Sequence, residues 1–468
     1  MKKVIRGTVF VLLLSLILRH IYSVLCWKDT AGGYLSSVQQ LYHTPKNTID
    51  VVFSGSSHCY CSVYPEYLWR DYGYATFDMA VSGQDKSANY YALLELLKTQ
   101  RPKAVFIEAY ALLYDGYSQE GNSYRNLLSM KNSVNNFRLV RETVDKERQS
   151  DYLLRWPIVH TRYAELTRYD FVQYAPSEYG RGANWEWRQG AGAWPDAAKS
   201  CTATAPLSEE NLRWLDRLLA LGDREGIDMV FYVAPMQVYD AEQAVYNSAA
   251  EYVTAAGASW IDFNKLYDEI GIAPESDFVD AYHCNAYGAE KVTAYLGRYL
   301  QENYCLEDHR GETAYTDWDQ SLQLYEHYET AQGLDQLDLE SFLHRAAELE
   351  GVKLILALEG DFANSTLPLS QYAAWLGVPQ EQCGEGGKWV ISGGQVEASL
   401  DNTSTEVVCV ELSAQDYVIF DNVSLKTGEP ATNNIRINGE YYGKALNGMT
   451  VIVYDPLREM IISAKGIA

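Results

Sequence analysis

No Gly-x-Gly-x-x-Gly run and no P-loop pattern occurs in the 468 residues, which removes the usual signs of a nucleotide cofactor. No Cys-x-x-Cys pair occurs either. The eight cysteines, at 26, 59, 61, 201, 284, 305, 383 and 409, lack zinc-site spacing and are too sparse for a disulfide-built scaffold. His283 and Cys284 are the only local ligand types in their stretch, short of the set a zinc ion needs. No metal and no cofactor is therefore expected. Positive charge is scarce: 38 Lys and Arg stand against 62 Asp and Glu, a formal net charge of −24. A surface this acidic repels phosphate backbones, so no nucleic-acid partner is expected. It also argues against broad docking on anionic lipid. Gly and Pro are not in excess, so bulk disorder is not expected.

Long hydrophobic runs are absent except at the N-terminus. Lys2, Lys3 and Arg6 precede the apolar run Val9–Leu18. Arg19 and His20 interrupt it, and Ile21–Trp27 resumes it. Gly7–Trp27 is long enough to cross a bilayer, at about 20 residues per span. Positive charge on its amino side predicts that end in the cytoplasm. The alternative is a cleaved signal peptide, because the first run alone has the length of such a peptide's apolar core. Ala31-Gly32-Gly33 is the nearest cleavage candidate. Leu25 before Cys26 does not suit a lipoprotein site. We take the segment as an uncleaved anchor; either reading places the rest outside the cytoplasm.

What is present beyond the anchor is regular alternation. Ile49–Ser54, Thr76–Ala80, Lys103–Glu108, Asp228–Ala234 and Ser259–Phe263 read as short strands. Tyr64–Tyr72, Asn89–Thr99, Ser208–Glu225, Ala241–Ala256 and Tyr287–Tyr299 read as helices. Continuous apolar strands alternating with helices predict an α/β fold with a mostly parallel sheet covered on both faces. Residues 115–205 are polar, aromatic and poorly periodic, and read as helices and loops inserted over the sheet. Length allows roughly two or three domains at ~150 residues each. The expected division is an anchor (1–30), an α/β domain (31–305), an acidic linker with a short helix (306–340) and a smaller α+β, β-rich domain (341–468). The 37 tyrosines suit sugar-stacking surfaces, and equally cores and interfaces.

Two short segments carry chemistry. Phe53-Ser54-Gly55-Ser56-Ser57-His58 follows the first buried strand, at the edge where α/β sheets bind ligands. A turn there lets a serine project into the crevice, with backbone N–H groups available for an oxyanion. The same residues also suit a helix cap. Asp280-Ala281-Tyr282-His283 precedes the closing helix. A serine needs a base, usually His, and a carboxylate three residues earlier can fix that imidazole's tautomer.

This pairing resembles the SGNH (GDSL-type) hydrolase family from about Ile49 to Tyr299. The resemblance implies a flavodoxin-like three-layer fold and a serine esterase or acyltransferase. It makes Ser57, rather than Ser56, the nucleophile, with Asp280 and His283 as its partners. Gly83, in Ser82-Gly83-Gln84, stands where the family's oxyanion glycine falls, and Asn285 and Gly288 continue the late block. One departure matters. The family commonly has an oxyanion Asn after the next strand, where this chain has Glu108-Ala109-Tyr110. Either Tyr110 donates in its place or two backbone amides suffice, and a core tyrosine is the bland alternative. His58 is expected to be structural rather than the base.

The stretch FSGSSHCYCSVYP (residues 53–65), with Tyr90-Tyr91 and Pro102-Lys103, looks like Gram-positive envelope SGNH proteins. Some of these are similar to proteins acting beside membrane-bound O-acyltransferases. The resemblance thus implies envelope polysaccharide or another acylated glycan as substrate, in a single-pass cell-membrane protein with extracytoplasmic domains. It leaves hydrolysis and transfer open. A non-catalytic glycan-binding or scaffold protein on the same fold is the alternative, as is a lipid ester or thioester substrate. Further on, Leu354–Gly394 resembles part of the interleukin-like EMT inducer domain. Ile437–Ser463 resembles that family's other half, in circularly permuted order. The resemblance implies a β-rich accessory domain, carbohydrate-binding in some relatives.

Overall fold

The computed structural model describes residues 2–26, 36–115, 120–164, 181–190, 192–194, 198–413, 416–422, 434–445, 447–456 and 459–468, with 166 and 171 as isolated positions. The cleavage candidate Ala31-Gly32-Gly33 lies outside them, as do parts of the 115–205 insertion and of Ile437–Ser463. The chain divides into two compact units, Met1–Tyr325 and Glu326–Ala468.

The first unit is built on a five-stranded, all-parallel sheet in the order β2-β1-β3-β4-β5. Its strands are β1 (Val51–Ser54), β2 (Thr76–Asp78), β3 (Ala104–Glu108), β4 (Asp228–Val233) and β5 (Ser259–Asp262). β1 and β3 are buried at every position, which is why their sequences read as unbroken apolar runs. Successive residues still feed opposite faces. Val52, Val105 and Phe231 join the core under the helices Lys86–Leu96 and Glu209–Glu225. Val51, Phe53 and Phe106 join the core under Ala286–Asn303. The order 2-1-3-4-5 reverses direction between β1 and β3, and that crevice is where such sheets bind ligands.

Residues 306–325 are not a linker but belong to the first unit. A helix runs over Thr316–Gln336, and the unit boundary falls within it. Trp318 is fully buried, and its Nε1–H donates to Thr76 O (2.9 Å). Ser321 Oγ donates to the buried Glu66 (2.6 Å), and Tyr325 closes an aromatic cluster with Tyr64, Tyr67, Trp185 and Trp187. Much of the tyrosine excess is thus core.

At the N-terminus a helix covers Lys2–Leu25, and Ile5–Leu25 is long and apolar enough to cross a membrane. Arg19 and His20 do not break it.

The second unit is β-rich and antiparallel. Its strands are β6 (Lys353–Glu359), β7 (Gly387–Ser392), β8 (Gln395–Asp401), β9 (Val408–Glu411), β10 (Tyr417–Phe420), β11 (Ile435–Ile437), β12 (Glu440–Tyr441), β13 (Gly448–Asp455) and β14 (Met460–Ile467). One sheet has the order β14-β13-β6-β7-β8, the other β12-β11-β10-β9. The helices Leu339–Glu348 and Leu369–Trp375 share a core with the larger sheet. Trp389 is buried there, with its Nε1–H on Gln382 Oε1 (2.8 Å). Asp361, in the loop after β6, accepts from Asn364 Nδ2 (2.7 Å).

Candidate active site

β1 ends at Ser54, and the chain passes through Gly55 into the short helix Ser57–Tyr60. Glycine is needed at 55 for close approach. A Cβ there would lie 2.4 Å from Glu108 Cβ and 3.2 Å from Cys59 Cβ. Ser56 caps the helix: its Oγ accepts from the His58 N–H (3.4 Å) and donates to Glu108 Oε2 (2.8 Å). Both the cap reading and the nucleophile reading of this segment therefore find a serine, on adjacent residues. Ser57 is left at the first helical position, half-buried. A helix start leaves such an N–H without an internal partner.

The second segment is a tight loop between β5 and the helix Ala286–Asn303. Phe278 pairs with Cys284, Val279 N–H donates to His283 O (2.9 Å), and Gln237 N–H donates to Ala281 O (2.8 Å). Asn285 caps the following helix, accepting from Tyr287 and Gly288 N–H (3.1 and 3.2 Å). Gly288 packs on Asp277, where a Cβ would meet its carbonyl oxygen at 2.3 Å.

These two segments, 226 residues apart, meet. Ser57 Oγ lies 2.8 Å from His283 Nε2. His283 Nδ1 lies 3.0 Å from both carboxylate oxygens of Asp280. Asp280 Oδ1 also accepts from Tyr282 N–H (2.8 Å) and His283 N–H (3.0 Å). Burial pushes the Asp280 carboxyl upward, but the Tyr282 N–H and the His283 ring outweigh it and hold the group below its usual range. An ionised Asp280 accepts only, so His283 carries its proton on Nδ1. Nε2 is then a bare acceptor facing the Ser57 hydroxyl, the arrangement that activates a serine.

Gly83 occupies the third position of a turn closed by Gln84 N–H to Val81 O (2.9 Å), with φ +61°. Positive φ at that position favours glycine. The turn is fixed from several sides. Val81 N–H donates to Gly55 O (3.1 Å), Gln84 Nε2 to Ser54 Oγ (3.1 Å), and Asn126 Nδ2 to Ser82 O and Gly83 O (3.3 and 3.4 Å). Among the described residues neither Ser57 N–H nor Gly83 N–H donates to a backbone acceptor.

Tyr110 stands at the site through its ring. It stacks on His58, with centroids 3.9 Å apart, while its N–H donates to Glu108 Oε1 (2.6 Å). The His58 ring also packs against His283, at 5.0 Å. His58 is buried, and that burial, together with His283, holds its imidazole well below the usual range. It is therefore neutral and does not compete as the base. Its Nδ1 lies 2.9 Å from Ser56 Oγ.

Sequence reasoning missed Glu108 as a site residue. It registered there only a missing Asn. Glu108 is 2% exposed at the end of β3 and ties Ser56 and Tyr110 together. The available signal was a carboxylate closing an otherwise apolar strand. Burial pushes its carboxyl up to about 7, with the hydrogen bonds from Ser56 and Tyr110 opposing. In the unfolded chain it titrates near 4.5. Between those values the unfolded chain releases the proton first, so stability falls as pH rises through the window. The loss is complete above the folded value, and amounts to about 3 kcal/mol for a shift of this size. Glu108→Gln is expected to flatten that slope, read as urea midpoints of the two proteins from pH 4.5 to 7.5. Glu66, also pushed up by burial, is common to both and cancels. Asp78, pushed up by burial and to a lesser degree by Glu66 and Glu108, loses only the Glu108 part in the variant.

Among the described residues no cluster of His, Cys, Asp and Glu could hold a metal ion. Compared with known proteins, the chain matches no family model and no curated protein, so the reading of this site rests on its own residues.

Proposed function

We propose that this chain is a membrane-anchored serine esterase or O-acyltransferase of the SGNH type, acting on acylated, chiefly acetylated, envelope glycan. The observation that carries this reading is the hydrogen-bond chain from Ser57 Oγ through His283 to Asp280. Its position at the β1/β3 reversal of a parallel sheet supports it.

In the first half-reaction His283 Nε2 takes the Ser57 proton as Oγ attacks the ester carbonyl. The carbonyl electron pair moves onto its oxygen, where the Ser57 and Gly83 N–H groups are the donors for the charge. Asp280 stabilises the imidazolium. The tetrahedral adduct collapses, the glycan alkoxide leaves with the proton from His283, and an acyl-serine remains. In the second half-reaction water or a sugar hydroxyl gives its proton to His283 and attacks the acyl carbonyl. Ser57 leaves and regains its proton. Water yields an esterase; a sugar yields a transferase. The transferase's first half-reaction takes the acyl group from an ester or thioester donor supplied by a membrane-bound O-acyltransferase, the donor's alcohol or thiol leaving with the His283 proton in place of the glycan. Exposed Tyr282, beside the base, suits a sugar face. The N-terminal helix serves as a single-pass anchor in the cell membrane, with the chain that follows it outside the cytoplasm. The second unit serves as a carbohydrate-binding accessory.

The alternative is a glycan-binding scaffold that keeps the fold without turnover. Its support is Glu108 standing where the SGNH family has an oxyanion Asn. A fluorophosphonate probe separates the two. Under the enzyme reading it adds once, on the tryptic peptide containing Ser57. No adduct at Ser57, with glycan binding intact, would establish the scaffold instead.

A further inference from the structure

The helical insertion at 131–164 departs from the acidity of the rest. It carries seven basic side chains against four acidic ones, in a chain of net charge −24. In the helix Val134–Thr143 the buried residues are Asn135, Asn136, Leu139 and Val140. The opposite face shows Val134, Phe137, Arg138 and Arg141, spaced three and four apart. Val134 is 63% exposed and Phe137 48%, large values for apolar side chains. Arg141 lies over the Phe137 ring, 5.8 Å from its centroid. Further on, Leu154 and Tyr163 are also exposed.

This surface adjoins the end of the N-terminal apolar helix. Arg162 Nη1 donates to Leu25 O (2.7 Å), and Trp156 packs on Tyr22, with centroids 5.8 Å apart. Buried Arg155 fastens Trp156's neighbourhood to the Val134 helix, donating to Met130 O (2.5 Å) and Asn136 Oδ1 (3.3 Å). Groups packed on the last turn of a membrane span lie at headgroup depth, where Trp and Tyr concentrate. Basic side chains there attract anionic headgroups.

We infer that the Val134–Thr143 face and the short helical segment 154–163 form a foot seated in the headgroup layer, taking anionic phospholipid. The inference rests on Ile5–Leu25 spanning the membrane. The acidic remainder of the surface is repelled by the same lipid, so the foot sets which side of the first unit approaches the bilayer.

The test uses the full chain in vesicles of phosphatidylcholine, alone or mixed with phosphatidylglycerol. A photo-crosslinking p-benzoylphenylalanine replaces Phe137, Leu154 or Tyr163 in turn, with Tyr239 as the exposed control and Leu16 as the span control. Lipid adducts at 137, 154 and 163 should exceed those at 239 and favour phosphatidylglycerol. That preference should drop about fivefold for each arginine neutralised in Arg138→Gln and Arg141→Gln. Adducts at Leu16 but none above the control at the other three would overturn the foot and leave the anchor standing. Absence at Leu16 as well would remove both. Equal adducts with either lipid, unmoved by the arginine changes, would overturn the anionic preference.

Discussion

Ser57→Ala is expected to lower kcat for p-nitrophenyl acetate by about 10⁶, with KM little changed. The expectation follows from what alanine removes and what it leaves. Without Oγ no acyl-serine can form, and His283 has no hydroxyl to deprotonate. The Ser57 and Gly83 N–H groups stay in place, because they belong to the backbone. Binding and oxyanion stabilisation therefore survive, and a residual rate of about 10³ over water remains. The side chain is half-buried and makes one side-chain hydrogen bond, to His283, so the folded state is barely disturbed. An unchanged thermal midpoint beside the lost turnover distinguishes a chemical role from a structural one. Turnover that persists in this variant would remove Ser57 from the mechanism.

The second large effect belongs to Asp280→Asn. The variant keeps an oxygen for the Tyr282 and His283 N–H groups, so the loop holds its shape. Its amide nitrogen then faces His283 Nδ1. Two donors cannot meet, so the imidazole moves its proton to Nε2 and can no longer accept from Ser57. The expected loss is about 10³ in kcat, short of the ~10⁴ seen for a fully buried carboxylate. The reason is exposure: Asp280 is 52% exposed, and water can take over part of its work. Steady-state kinetics of Asp280→Asn and Asp280→Ala should therefore agree within about tenfold. A loss below tenfold would make Asp280 a loop-forming residue only.

The parts of this molecule that obey a simple period were legible. β1 and β3 are buried on both sides, so their positions followed from unbroken apolar runs, to within two residues. The two segments carrying Ser57 and His283 could be named because one follows a strand's carboxyl edge and the other precedes a helix start, while the choice of Ser57 over Ser56 came from the resemblance to the SGNH family. Glu108 could not, because its role depends on Ser56 across the β1/β3 crevice, a contact between residues 52 positions apart. Residues 306–325 misled for another reason. Their buried residues are mostly polar or aromatic, His309, Tyr315, Trp318, Ser321 and Tyr325, with Leu324 the one buried aliphatic among them, and the acidic outer face dominates the composition. The proximity of His58 to His283 is likewise a product of folding, since no spacing rule joins two histidines 225 positions apart in sequence.

The distance along the chain between Ser57 and His283 also has a consequence for biosynthesis. Synthesis runs from the amino end, so Ser57 emerges long before His283 is made. A serine hydroxyl alone is a poor nucleophile. Under the proposed function, the nascent chain therefore stays catalytically silent until His283 reaches Ser57. On the same reading, the triad is complete only once the loop carrying Asp280 and His283 and the helix Ala286–Asn303 behind it have docked on the sheet.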